Sequence, residues 1–443
     1  MLWKDGRHAS FACPAFCQPR VSRPLCRAGR LLTVELHAVD LAAAGQHLPP
    51  ERNRHTDRER TLKIIRIDTL RADRFMYVVV DTDDGLRGVG ELHPGSGTSG
   101  TPYLPIAGVE YCAEYLVGKD PLPIESHWQH LFRRCIFRGG ADAMAAIGAI
   151  DMALWDLKGK MLDKPVYELL GGPTRDKIRL YTHINGNSPA ELADRARQCV
   201  AEGFTAVRLY PFGPFSGGLD QLSYSGLIRA AVQSVEAVRD AVGPNIDVMI
   251  DVVNRLTPPE AIAIGRALEP YDLYFFEDPI EPENIDAMAH VAAEVPVPLA
   301  VGERLYTLHQ FRDLLNKNGA AYLRPDPSLA GGITNIRKIA ALAEASYLQL
   351  APHNPLSCVL TAACAHLDAA LHNIAVQEYP ADDAQGPKRD LVRAPLRREG
   401  GFLLLPDGPG LGIELNEEAF AHYPPVPYER PPVIHPDGGL RDY

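Results

Sequence analysis

Residues 247–304 read DVMIDVVNRLTPPEAIAIGRALEPYDLYFFEDPIEPENIDAMAHVAAEVPVPLAVGER. Three short runs rich in β-branched and aromatic residues, VMIDV, YFFEDP and LAVGE, are separated by two helical patterns, PPEAIAIGRALEPY and NIDAMAHVAAEV. Short apolar runs alternating with helical periods mark parallel strands joined by crossover helices. Each run also ends on an acid, Asp251, Glu277 and Glu303, at intervals of 26 and 26 residues.

The same rhythm continues on both sides. KIRLYTHIN (177–185) and TAVRLYPF (205–212) precede it, and YLRPDP, LQLAPHN and NIAVQEYP follow, each set off by a helical stretch. Eight strand–helix units predict an α/β fold, a (β/α)8-type barrel over residues 176–380, with an open doubly wound sheet as the alternative. Upstream, TLKIIRIDTLRADRFMYVVVDTDDGLRGVGE (61–91) predicts a strand pair turning at Asp83-Asp84-Gly85. ADAMAAIGAIDMALWDLKGKML (141–162) predicts a buried amphipathic helix, so residues 62–175 read as an N-terminal α+β capping domain. Residues 381–443, rich in Pro and Gly, predict a return segment across the cap with a loose tail. Residues 1–61 hold ten Lys/Arg and six Asp/Glu without a sustained apolar period, and predict a disordered extension. A targeting peptide and an additional folded element are the alternatives, and a truncation lacking residues 1–60 is expected to stay active.

The 443 residues are 46% hydrophobic and 23% charged, which excludes disordered, collagen-like and disulfide-stapled chains. No apolar run reaches the ~18–20 residues that span a bilayer. The net charge of −11, without a basic stripe, argues against nucleic-acid and anionic-membrane partners. The eight cysteines lack a framework spacing and point to reduced thiols in a cytoplasmic protein. Cys13 and Cys17 have no matching second pair, which argues against zinc.

In barrels the working residues sit at the C-terminal strand ends. Asp251, Glu277 and Glu303, one barrel unit apart, converge there, and three such anions repel unless a cation neutralises them. Oxygen ligands suit a hard ion, so Mg²⁺ is the expected occupant. The sixth strand ends at Asp326 and the seventh at His353; a hydrogen bond between them would set the imidazole tautomer and raise its basicity. The eighth ends at Glu378, as a substrate contact or a buried ion-pair partner. Arg208 and Tyr210 share a face of the second strand. Arg208 would hold a substrate carboxylate, and Tyr210 would donate a proton or a hydrogen bond. His183 and Asn185 are further candidates on the first strand. GGPT (171–174) and SLAGGIT (328–334) fit neither a Walker loop nor a dinucleotide fingerprint.

Several of these strings, taken in order, resemble the enolase superfamily in its mandelate racemase branch, and within it acid-sugar dehydratases of the galactonate type. They are DTDDGLRGVGE, IGAIDMALWDLKGK, PVYELLGG, the carboxylate trio, GER at 302–304, RPDPS, APHNPL and GLGIELNEEAF. The resemblance covers residues 61–440. It implies that Asp251, Glu277 and Glu303 bind Mg²⁺, that His353 paired with Asp326 is the base, and that Glu378 helps bind substrate or intermediate. It also implies a small sugar acid as substrate and a homo-oligomer. Two departures stand out. Galactonate-type dehydratases carry a second His two residues after the first metal ligand, where this chain has Val253, and the racemases' Lys-x-Lys is replaced by Arg208-Leu209-Tyr210. The expected reaction is α-proton abstraction and loss of water to a 2-keto-3-deoxy acid, with His353, Tyr210 or His183 as the acid. A racemase, epimerase or cycloisomerase using the same enediolate, and a non-catalytic binding barrel, are the alternatives. Cap loops such as HPGSGTSGTPY (93–103) are expected to read the sugar's stereochemistry.

Overall fold

The computed structural model describes residues 62–94, 103–138, 140–214, 218–219, 222–380, 382–426, 433–434 and 437–441. The expected extension (1–61) and most of the loop at 93–103 lie outside the described residues.

The cap opens with a three-stranded antiparallel sheet, β1 (Ile64–Ala72), β2 (Phe75–Thr82) and β3 (Arg87–Glu91). The Val78-Val79-Val80 run of β2 is buried on both faces, as β-branched residues favour. Helices α1 (Tyr103–Leu116), α2 (Ile124–Arg134), α3 (Gly140–Leu162) and α4 (Val166–Leu169) follow. The α3 pattern predicted an amphipathic helix, yet every residue from Met144 to Leu157 is buried. The cap sheet lies on one side of α3 and a barrel helix on the other, so no solvent face remains. Gly88 and Gly90 of β3 make this possible: a Cβ at either would collide with the Ala153 or Ala149 carbonyl of α3.

The barrel strands are β4 (Lys177–Ile184), β5 (Ala206–Leu209), β6 (Asp247–Asp251), β7 (Phe275–Glu277), β8 (Leu299–Val301), β9 (Tyr322–Leu323), β10 (Gln349–Leu350) and β11 (Gln377–Tyr379). Helices α5 (Pro189–Ala201), α6 (Tyr224–Val242), α7 (Pro258–Ala267), α8 (Ile285–Glu294), α9 (Leu308–Asn316), α10 (Gly332–Ala345) and α11 (Cys358–Ala370) alternate with them. Neighbours from β4 to β10 pair in parallel, and β11 pairs in parallel with β4. The remaining seam is closed by the Leu350–Ile374 bridge, with Leu350 N donating to Asn373 O at 2.8 Å and Ala375 N to Leu350 O at 2.8 Å. The eight units legible in the sequence therefore form a ring. No helix among the described residues is long and apolar enough to cross a membrane.

Two buried cap carboxylates dock onto barrel helices. Asp151 accepts from Thr334 N at 2.9 Å in the first turn of α10, and Glu91 accepts from Ser357 Oγ at 2.8 Å and Leu360 N at 2.9 Å at the start of α11. An anion at a helix N-terminus meets unsatisfied amides and the positive end of the dipole. Burial nevertheless pushes both carboxyls up to about 7. Trp128 Nε1 donates to Gly331 O at 2.7 Å and Trp155 Nε1 to Thr334 Oγ1 at 2.9 Å, so the cap is bolted to the rim near Asp326.

The chain beyond the barrel adds β12 (Arg398–Glu399) and β13 (Phe402–Leu404), the latter antiparallel to β4, and then runs back to the cap. There buried Asp156 ties three parts together: it accepts from Val89 N (2.9 Å), Lys160 Nζ (2.6 Å) and Leu411 N (2.7 Å). Asp156→Ala leaves two buried amides unpaired and the half-buried Lys160 ammonium with only the Arg87 carbonyl, and is expected to destabilise the protein by about 2–4 kcal/mol. Chemical denaturation monitored by tryptophan fluorescence measures it; a loss below about 1 kcal/mol contradicts the assignment.

Candidate active site

Side-chain alternation along the eight strands builds the site in layers. Tyr181, Ala206, Met249, Phe275, Ala300, Tyr322, Ala351 and Val376 fill the barrel interior as an apolar plug. Two residues further along each strand the same face carries His183, Arg208, Asp251, Glu277, Gly302, Arg324, His353 and Glu378. A dry floor therefore supports a ring of titratable groups, with Gly302 its one position lacking a side chain. A Cβ at Gly302 would lie 2.8 Å from the Phe311 ring and 3.1 Å from Arg324 N, so the fifth strand supplies its acid one residue later, at Glu303.

Glu277, Asp278 and Glu303 each offer a carboxylate oxygen within 4.8 Å of the others. Neither oxygen of Glu277, nor Asp278 Oδ2, makes a hydrogen bond. Glu277 is held by ion pairs instead, at 2.8 Å from Arg324 Nε and 3.5 Å from Arg208 Nη1. Burial, reinforced for Asp278 by the Glu303 and Glu277 anions, pushes both carboxyls up. Buried oxygens without hydrogen-bond donors, crowded by like charge, suit a hard cation such as Mg²⁺. Asp251 is the ladder partner of Glu277 but stands outside this group. Its Oδ1 accepts from Val253 N at 2.8 Å and its Oδ2 pairs with Arg208.

His353 and Asp326 meet: Nδ1 lies 2.9 Å from Asp326 Oδ2. The other oxygen of Asp326 accepts from Ser328 N and Oγ, both at 2.7 Å. A carboxylate so held only accepts, so Nδ1 carries the proton and Nε2 turns to the mouth, 3.3 Å from Glu303 Oε2. Burial by itself would lower the His353 pKa, but Glu303, Glu378 and Asp326 outweigh it and raise it to about 9. From the cap, His93 places Nε2 4.0 Å from Asp326 Oδ2.

Glu378 is 1% exposed, and both its oxygens are engaged. Oε2 accepts from Arg324 Nη2 (2.7 Å) and Asn354 N (3.0 Å), while Oε1 lies 2.6 Å from His183 Nε2. Its pKa is held well below the usual range, because Arg324 and His353 outweigh the burial that opposes ionisation. Since the carboxylate only accepts, His183 Nε2 donates to it, and the 2.8 Å approach of Arg208 Nη2 to that nitrogen is a contact rather than a bond. Burial first, and Arg208 next, push His183 down to about 4 and keep it neutral. The Tyr210 hydroxyl accepts from Arg255 Nη1 at 3.0 Å, and Asn185 is exposed beyond the end of β4.

Four contributors escape a reading of strand-end acids alone. Arg324 shares Asp326's face two residues earlier. Asp278 follows Glu277 and by alternation should face away, but its φ of 39° breaks the alternation. Asn254 Nδ2 reaches Glu303 Oε1 at 3.3 Å because Val253 and Asn254 take left-handed φ of 55° and 60°. His93 arrives from the cap, which no periodicity within the barrel reveals.

Comparison with known proteins gives a consistent picture. Residues 53–171 match the mandelate racemase / muconate lactonizing enzyme N-terminal domain, and residues 191–419 match the enolase C-terminal domain-like model. D-galactonate dehydratase of Variovorax paradoxus (strain S110) is 37% identical over 393 residues, 86% of this chain and 100% of that protein. D-galactonate dehydratase of Ralstonia nicotianae shows the same identity and coverage. Among solved structures, an enolase from Agrobacterium radiobacter with Na and L-malate bound superposes with a TM-score of 0.79 at 33% identity, covering 86% of this chain and 99% of that one. A member of the enolase superfamily from Salmonella Typhimurium gives 0.77 at 28% identity, covering 82% and 98%.

A β-branched residue at φ of 55° is strained, whereas Asn tolerates the left-handed region. Val253→Asn is therefore expected to stabilise the protein by about 1 kcal/mol. The readout is a higher urea midpoint at unchanged slope, and a lower midpoint refutes the strain.

Proposed function

Because the chain belongs to the mandelate racemase / muconate lactonizing enzyme family of the enolase superfamily, we propose that it is a Mg²⁺-dependent hydro-lyase converting a sugar acid to a 2-keto-3-deoxy acid. The observation that carries this reading is the His353–Asp326 pair, whose Nε2 faces the Glu277–Asp278–Glu303 carboxylates across the barrel mouth. The identity to D-galactonate dehydratases supports the substrate class. The L-malate bound in the Agrobacterium enolase is a hydroxy acid, and the Na bound with it supports a cation in such a site.

Glu277, Asp278 and Glu303 would hold the ion, with Asp251 beside them. When bound, the ion supplies positive charge against the second negative charge that develops on the substrate carboxylate as the α-proton leaves. With a cation offsetting Glu303, the anion that does most to raise the His353 pKa, Nε2 would be free to take that proton, while Asp326 fixes the tautomer and stabilises the imidazolium. The electron pair of the C–H bond passes into the carboxylate as an enediolate. Collapse of the enediolate expels the β-hydroxyl, which takes a proton and departs as water, and the resulting enol tautomerises to the keto acid. His183, Tyr210 and His353 itself are the candidate sources of that proton. His183 is neutral and already donates to Glu378, which argues against it. The Tyr210 hydroxyl accepts from Arg255 Nη1 at 3.0 Å, which ties it to that guanidinium. Position 253 is a valine and offers none. The imidazolium formed at His353 by proton abstraction is a donor that can give its proton up again, so a syn elimination using one histidine twice fits best.

His353→Asn is expected to abolish α-proton exchange in D₂O while leaving Mg²⁺ affinity within about twofold, whereas Glu277→Gln lowers Mg²⁺ affinity by at least about tenfold. NMR exchange on a panel of aldonic and aldaric acids, semicarbazide detection of keto product, and the Mg²⁺-induced shift in melting temperature measure these effects. Retained exchange in His353→Asn removes the base; exchange without keto product in the wild type replaces dehydration by isomerisation.

A further inference from the structure

The two arginines of the ring differ in how firmly they are held. Arg324 is fully enclosed, with Nε 2.8 Å from Glu277, Nη2 2.7 Å from Glu378 and Nη1 donating to Ala351 O at 3.0 Å. Both terminal nitrogens of that guanidinium donate hydrogen bonds, and the group lies over the Tyr181 and Phe275 rings of the plug. Arg208 is 13% accessible and stands nearer the opening. Its Nη1 pairs with Asp251 and lies 3.5 Å from Glu277 Oε1; its Nη2 lies 3.5 Å from Glu378 Oε1 and touches a nitrogen of His183 that has no lone pair to offer. Arg208 thus has one strong partner, Asp251, and three loose neighbours.

That partner is the acid outside the Glu277–Asp278–Glu303 group. Asp251 and Glu277 face each other across the β6–β7 ladder, so both stand at the same height in the mouth. A divalent ion among these acids and a guanidinium inserted between Asp251 and Glu277 would neutralise the same charges, and two cations in one low-dielectric space repel. Binding of the ion therefore disfavours the Arg208–Asp251 pair. Arg208 also has accessible surface toward the mouth, where a planar guanidinium matches a carboxylate bidentately.

We propose that Arg208 is the counter-ion of Asp251 and competes with the divalent ion for that carboxylate. Arrival of the divalent ion displaces it from Asp251 and turns its guanidinium to the carboxylate end or anionic tail of the incoming acid. The inference rests on the metal reading above and adds a coupling to it. Ion and organic anion bind synergistically, each raising the other's affinity by the same factor, as linkage requires.

The experiment uses the full-length protein and Mn²⁺ as probe, with free Mn²⁺ counted by EPR, with and without L-malate as the carboxylate probe. Arg208→Met is expected to bind Mn²⁺ about tenfold more tightly than wild type, because no guanidinium has to be displaced, and to have a lower melting temperature when metal-free. Arg208→Lys keeps the charge and is expected to bind Mn²⁺ like wild type. L-malate is expected to tighten Mn²⁺ binding in the wild type and to tighten it several-fold less in Arg208→Met, where only the direct attraction between ion and carboxylate remains. Equal or weaker Mn²⁺ binding by Arg208→Met, with the wild type binding normally, overturns the inference and leaves the metal reading standing. Absence of Mn²⁺ binding in both removes the metal reading and this inference with it. If Arg208→Met fails to fold, the wild type decides alone: strictly independent binding of Mn²⁺ and L-malate overturns the coupling.

Discussion

Two like charges 4 Å apart repel by about 4 kcal/mol at an effective dielectric of 20. The barrel mouth gathers Asp251, Glu277, Asp278, Glu303, Asp326 and Glu378 around two guanidiniums, those of Arg208 and Arg324. Most of the site's architecture follows from managing that excess. Arg324 bridges Glu277 and Glu378 from beneath, backbone amides and Ser328 hold Asp326, and Asn354 N supports Glu378. What these contacts leave without hydrogen bonds, chiefly the Glu277 and Asp278 oxygens, suits a hard cation.

Beneath this layer the plug of Tyr181, Met249, Phe275 and smaller residues excludes water from below. Low polarity strengthens every attraction above it and makes each unpaired charge more expensive. The cap closes the structure from the other side. Asp151 and Glu91, each at the first turn of a barrel helix, fix its position, and His93 consequently stands above Asp326. The same docking buries α3 on all sides from Met144 to Leu157.

Much of the fold was legible without coordinates. Eight alternating units specify strands and crossovers, and DDG at 83–85 marks the cap hairpin. Period-two alternation also told which residues share an inner face, so Arg208, Asp251, Glu277, His353 and Glu378 were all nameable as mouth residues. Alternation failed where the backbone left the extended region. Asp278 turns inward at a φ of 39°, and Asn254 reaches Glu303 only because Val253 and Asn254 are left-handed. Nothing in a linear string fixes those dihedrals: Val disfavours them, and Asp and Asn tolerate them without requiring them.

The amino-acid order by itself determined the strand–helix alternation and the face each barrel residue occupies, because both depend on local periods of 2 and 3.6 residues. Tertiary structure alone decided how the charges are partnered: Asp251 with Arg208, Glu378 with Arg324 and His183, and Glu277 with Asp278 and Glu303. Partnering depends on distances of a few ångströms between side chains far apart in the chain, and those distances exist only once the ring has closed.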